Sequence, residues 1–229
     1  MSLDEKAWQA VAARIAEAAR RAERAPGSVR LLAVSKGQPA AAVRGAHAAG
    51  QRAFGENYVQ EAVAKADELV DLPGLEWHLI GPLQSNKART AAERFSWVQS
   101  VDRAKVAQRL SGARDAGHPP LNVCVQVNIS AERGKSGAAP EETLALVRSV
   151  ASLPGLKLRG LMGIAEETDD VDRQRRQFRI LRELFDAARG QGLALDTLSM
   201  GMSADLESAI AEGATMVRVG TALFGPRRK

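Results

Sequence analysis

The feature that most restricts the fold is an alternation of strand-like and helix-like segments repeated eight times. Short apolar runs at 29–35, 51–54, 76–80, 97–100, 121–129, 157–164, 194–199 and 215–219 are separated by segments at 40–49, 58–70, 86–94, 103–116, 141–152, 170–188 and 203–212 whose apolar residues recur at helical spacing. Parallel strands joined by helical crossovers give this pattern, and eight of them close into a barrel. Ahead of the repeat, Trp8, Val11, Ala12, Ile15 and Ala19 lie on one helical face, and Pro26-Gly27 stops that segment before the first strand. The reading is therefore α/β, a single (β/α)₈ TIM barrel with an extra N-terminal helix, one domain over residues 1–229.

An open doubly wound sheet is the competing architecture. It would carry a G-x-G-x-x-G turn after its first strand, and Lys36 stands there instead. With 45% hydrophobic and 26% charged residues the composition is that of a globular chain, and no apolar run reaches the ~18 residues a membrane span needs. The N-terminus is interrupted by acidic residues and lacks the apolar block of a secretory signal. A lone Cys124 permits neither an internal disulfide nor a cysteine metal cluster. A cytoplasmic location without a metal centre is expected. The formal charge is +5, but Arg173, Arg175, Arg176, Arg179 and Arg182 fall on what reads as a solvated helix face, and aromatic residues make up 4% of the chain. Nucleic acid is therefore not an expected partner, nor is a membrane, and no unexplained apolar helix face argues against a monomer.

Barrels of this kind carry their chemistry at the C-terminal ends of the strands. Those exits are polar here: Ser35-Lys36, Gly55-Glu56-Asn57, His78 to Gly81, Asn128, Ser199-Met200-Gly201 and Arg218 to Thr221. Strand alternation puts Leu121, Val123, Val125, Val127 and Ile129 on one face of the fifth strand and Asn122, Cys124, Gln126 and Asn128 on the inward one. The same rule groups Lys36 with Val34 and Leu32 inside the barrel, where lost hydration favours the neutral amine that attacks carbonyl groups; the alternative is a lysine that begins a loop and reaches water. After the seventh strand Gly201-Met202-Ser203, and after the eighth Gly220-Thr221, could form an anion site or be ordinary turns and caps. Arg218 interrupts an apolar strand and needs a partner, either an acid such as Glu56 or the nitrogen of a ligand ring. His78 reads either as a structural member of the core or as a hydrogen-bond partner of a ligand, and Met162 and Met200 as filler or as walls for a flat ring.

The segments LLAVSKGQP, FGENYVQE, WHLIGPLQSNK, VQVNIS followed by KSG, LRGLMGI and LSMGMSADLESAIAEGATMVRVGTALFG occur in this order. As a set they resemble the pyridoxal phosphate homeostasis proteins, whose barrel is like the N-terminal domain of alanine racemase. The resemblance covers nearly the whole chain. It implies pyridoxal 5′-phosphate (PLP) as cofactor, held as a covalent aldimine on Lys36, with Ser203, Gly220 and Thr221 on the phosphate, Arg218 near the pyridine nitrogen, and Asn57, Met200 and Gly201 close to the ring. At Gly37-Gln38 many relatives carry a threonine and a second lysine, so any role of that second amine is absent here.

Three readings follow. The resemblance implies a non-catalytic PLP-binding protein acting in cofactor homeostasis and, indirectly, in amino- and keto-acid balance, with PLP-dependent apoenzymes as candidate recipients and no catalytic residues. The alternative is a PLP-dependent amino-acid racemase of low activity. Because the chain runs to Lys229 soon after its eighth strand, the β domain that completes alanine racemase is expected to be missing. A phosphosugar lyase using Lys36 directly is the third reading.

Overall fold

The computed structural model describes residues 4–130, 132 and 134–225. Eight parallel strands, β1 (Arg30–Val34), β2 (Ala53–Glu56), β3 (Glu76–Leu79), β4 (Trp97–Val101), β5 (Leu121–Val127), β6 (Leu156–Gly163), β7 (Thr197–Ser199) and β8 (Met216–Val219), close in sequence order, β8 pairing back onto β1. The helices are α1 (Glu5–Arg21), α2 (Ala40–Ala48), α3 (Val59–Glu68), α4 (Ala88–Arg94), α5 (Ala104–Ala113), α6 (Pro140–Ala151), α7 (Val171–Gly190), α8 (Leu206–Ala211) and α9 (Thr221–Phe224). Barrel, eightfold alternation and added N-terminal helix are as the sequence predicts.

Two layers of apolar side chains follow from strand alternation. Leu121, Val123, Val125, Val127 and Ile129 face the helices as part of the large outer core, while Cys124 packs inside with Trp97 and Met162. Leu32, Ala53 and Met216 form another inner cluster. β6 departs from regular pairing: Val123 faces Leu158 and Cys124 faces Gly160, leaving Arg159 as the extra residue of a bulge. The Arg159 guanidinium then reaches Asp196 at 2.6 Å and Asn122 at 2.9 Å and lies 4.7 Å from the Trp97 ring centroid, near the N-terminal ends of the strands.

α1 begins at Asp4, whose carboxylate accepts from the Ala7 amide at 3.2 Å, and ends with Arg20 and Arg21 in its last turn. Its buried stripe Val11, Ile15, Ala18 and Ala19 packs on α8 and α9. From this helix Arg14 donates to the Ser203 carbonyl at 3.0 Å and pairs with Glu207, so the added element braces the loop after β7.

The arginines of α7 are exposed as expected, and three of them also lie close to one acid. Arg175 and Arg179 pair with Glu212 at 2.8 and 3.0 Å, and Arg182 lies 3.7 Å from it, although Glu212 is 1% exposed. The side chains of Arg173, Arg175, Arg176, Arg179 and Arg182 are 42–63% exposed, as expected of a solvated face, while a nearly buried carboxylate next to α8 draws three of them. Among the described residues no helix is long and apolar enough to cross a membrane, and no group of three or more His, Cys, Asp or Glu is placed to hold a metal ion.

Candidate functional site

A cavity of about 650 Å³ opens at the C-terminal ends of the strands, within the range of small-ligand sites. Lys36, Asn57, Ser203, Arg218, Gly220 and Thr221 all line it. A smaller cavity of about 220 Å³ shares the walls Asn57, Ile80 and Ile164 and extends toward Gln126, Asn128 and Lys135.

Lys36 is half-buried and occupies the second position of a turn closed by the Gln38 amide on the Ser35 carbonyl at 3.0 Å, with Gly37 at φ +70°. This is the pattern of a type II turn, which places a glycine third. Gln38, two residues after Lys36, is itself buried. Asn57 is set by Gly81: a Cβ there would overlap the Asn57 carbonyl oxygen and lie 2.7 Å from its Cα. Gly220 lets the β8 exit approach β1, since a Cβ would stand 3.1 Å from the Val34 carbonyl oxygen. That approach brings Gly220 and Thr221 to the side of the cavity holding Lys36.

Met200 and Gly201 are the expected site residues that do not border this cavity. Along β7, Ser199 faces inward, so Leu198 and Met200 face the helices and join the outer core. Gly201, at φ +90°, turns the chain beneath α8; a Cβ would meet the Ala209 Cβ at 2.5 Å. These two residues shape the loop that presents Ser203.

Arg218 is 4% exposed, and its partner is not Glu56. It donates to the Ser199 carbonyl at 2.7 Å, the Ser199 hydroxyl at 2.9 Å and the Gly163 carbonyl at 2.8 Å. Three of a guanidinium's five N–H groups are thereby used, and donor capacity remains toward the cavity it lines. Burial pulls its pKa down to about 10, against the attraction of Asp205, so it stays cationic at neutral pH. Glu56, at the end of β2, points to α3 and pairs with Lys65 at 2.7 Å.

The Arg218 bonds order a polar chain through the barrel interior. Because guanidinium only donates, the Ser199 hydroxyl accepts from it and gives its own hydrogen to Gln99 Oε1 at 2.6 Å. Gln99 Nε2 then donates to His78 Nδ1 at 2.9 Å. His78 therefore carries its proton on Nε2, which is buried with no acceptor among the described residues at hydrogen-bond distance, the Glu76 carboxylate lying 3.8 Å away, and its ring stacks on Trp97 at 5.0 Å. The sequence singles out His78 but neither Ser199 nor Gln99 as its link to Arg218.

Burial lowers the His78 pKa from 6.5 to about 4. Between these values the unfolded chain takes up a proton that the folded chain refuses, so the residue's contribution is intact above pH 6.5 and is lost as pH falls toward 4. The expected loss is about 3 kcal/mol. In denaturant titrations at pH 7 and pH 5, wild type should lose more stability on acidification than His78→Gln; equal losses would contradict this.

An acidic lip formed by Glu166, Glu167 and Asp169 after β6 also lines the cavity. The sequence reading passes over these residues; the signal that marks them is an acid run shortly after a strand exit.

Residues 7–228 match the family described as alanine racemase, N-terminal domain. The pyridoxal phosphate homeostasis protein of Pseudomonas aeruginosa is 64% identical over 217 residues, 95% of this chain and 93% of that protein. PipY of Synechococcus elongatus, solved without PLP, superposes with a TM-score of 0.82 at 47% identity, covering 92% of this chain and all of that one (100%). The PipY structure with PLP bound gives 0.81 at 45% identity with the same coverage.

Proposed function

Since the chain belongs to the alanine racemase N-terminal domain family, and within it to the pyridoxal phosphate homeostasis proteins, we propose that it holds PLP on Lys36 and serves in the intracellular homeostasis of that cofactor. The observation that carries this reading is the convergence of Lys36, Arg218, Ser203 and Thr221, drawn from opposite ends of the chain, on one cavity. The donor set fits the group: an amine for an aldehyde, two hydroxyls and the Gly220 backbone for a phosphate, and a buried cation for a ring nitrogen. When bound, the cofactor supplies an aldehyde that condenses with amines and a pyridine ring that draws electrons from them.

Each residue then has a defined task. Lys36 would supply the amine that holds the cofactor's aldehyde. Ser203, Gly220 and Thr221 bind the phosphate, and Asn57 flanks the ring. Met200 and Gly201 act from behind by shaping the β7 loop. Arg218, cationic at neutral pH, opposes protonation of the ring nitrogen and so weakens the electron withdrawal that racemisation needs. The chain is thus a carrier rather than an efficient catalyst, with PLP-dependent apoenzymes as recipients.

Titration of the ligand-free protein with PLP should generate a yellow species saturating at one per chain; a colourless protein would reject the reading. The racemase alternative is tested with alanine in heavy water. The PLP-loaded protein should exchange the α-proton no faster than free PLP does, and catalytic exchange would establish the racemase instead.

A further inference from the structure

Beneath Lys36 lies an ionic cluster that the cavity does not include. Lys65 of α3 has a side chain 7% exposed, and its ammonium donates to three oxygens, the Ser35 carbonyl, Glu56 Oε1 and Glu61 Oε1, each at 2.7 Å. That uses all three of its N–H groups. Glu56 Oε1 also accepts from the Ser35 hydroxyl at 2.6 Å, and Glu61 Oε1 from the Gly37 amide at 2.5 Å. The residue before Lys36 is therefore held by carbonyl and hydroxyl, and the residue after it by its amide, all through one buried ammonium and its two carboxylates.

Packing alone does not call for such a cluster. The other buried positions of α3, Val59 and Ala62, are apolar, and an apolar side chain at 65 would fill the space without desolvating charge. Buried ion pairs are often no more stabilising than apolar residues of similar volume, whereas they hold groups in one arrangement. Here the arrangement fixed is the turn that sets the direction of the Lys36 side chain. Glu56 lies one strand over, at the end of β2, and Glu61 one turn of α3 before Lys65, so strand exit and helix are tied at this point.

We infer that Lys65, with Glu61 and Glu56, is the positioning device for Lys36, clamping both of its peptide neighbours so that its amine is presented to the cavity. Lys65 acts through Lys36 and is a positioning residue. The inference rests on the proposed attachment of PLP at Lys36.

Glu61→Ala is the first test, because Glu61 is partly exposed and its loss spares the buried core. Two readouts are taken, amide hydrogen exchange at Gly37 in the ligand-free protein and affinities for PLP and for pyridoxine 5′-phosphate, which has an alcohol where PLP has the aldehyde. Glu61→Ala should speed Gly37 exchange and weaken PLP binding about tenfold, as expected for one hydrogen bond to a charged group, while leaving pyridoxine 5′-phosphate binding unchanged. Glu61→Gln keeps an acceptor oxygen and should restore both readouts. Lys65→Met should repeat the selective loss of PLP affinity.

Unchanged Gly37 exchange and unchanged PLP affinity in Glu61→Ala would overturn the clamp. So would an equal fall in both affinities, which marks a general disturbance of the pocket. A wild type that binds both compounds equally would reject Lys36 attachment itself, and the clamp's role would fall with it.

Discussion

Lys36→Ala is expected to leave the purified protein colourless in the presence of PLP, with phosphate-bearing vitamers still bound weakly. The substitution removes the amine from a cavity that otherwise keeps Ser203, Thr221 and Arg218. Losing a covalent link exceeds the ~1.5–3 kcal/mol of one charged hydrogen bond, so PLP affinity should fall by about a hundredfold or more. Pyridoxine 5′-phosphate, which cannot form the link, should bind wild type and variant alike. The checks are an absorbance titration for the first compound and calorimetry for the second. A variant that stays yellow at saturation would show that another amine carries the cofactor.

The largest structural effect is expected at Gly160. A Cβ there would overlap the Thr197 carbonyl oxygen and stand 2.7 Å from its carbonyl carbon, and both atoms are backbone, which cannot rotate away. β7 has three residues, and Gly160 pairs with its first. Relief of the clash requires β7 to move, and with it Ser199, which holds both Arg218 and Gln99. Gly160→Ala should therefore cost about 4 kcal/mol or more, in the range of severe core lesions, and should weaken cofactor binding even where the variant still folds. Gly112→Ala is the control. In α5, a Cβ at Gly112 meets nothing within 4 Å among the described residues, so helix propensity alone should stabilise the chain by about 0.5–1 kcal/mol. Urea denaturation of the two variants beside wild type reads both effects, and a Gly160→Ala midpoint close to wild type would remove this constraint from the account.

Much of this was legible in the sequence because strand and helix periods are local. β5 shows it directly: alternate residues from Leu121 sort into outer and inner layers as the pattern predicts. Lys36 and Arg218 stood out because each interrupts or ends an apolar run. Other features depend on register and on contacts between elements, which periodicity does not encode. The bulge at Arg159 is a pairing defect, invisible until β5 and β6 are aligned. Met200 follows an inward-facing serine and so turns outward, although it stands in a loop otherwise devoted to the site. Glu56 seemed a partner for Arg218 because both lie near strand exits; its partner is Lys65, nine residues on in a helix packed over the strand's other side. Arg218 is satisfied by carbonyl oxygens of β6 and β7, acceptors that every residue type carries.

Everything proposed for this cavity depends on one amine, that of Lys36, carrying the cofactor. Borohydride reduction of the protein as purified from cells, followed by proteolysis and mass spectrometry, tests it most directly. A single pyridoxyl-phosphate adduct is expected, on the peptide containing Lys36. An adduct located on Lys65 or Lys135 with Lys36 unmodified would contradict it.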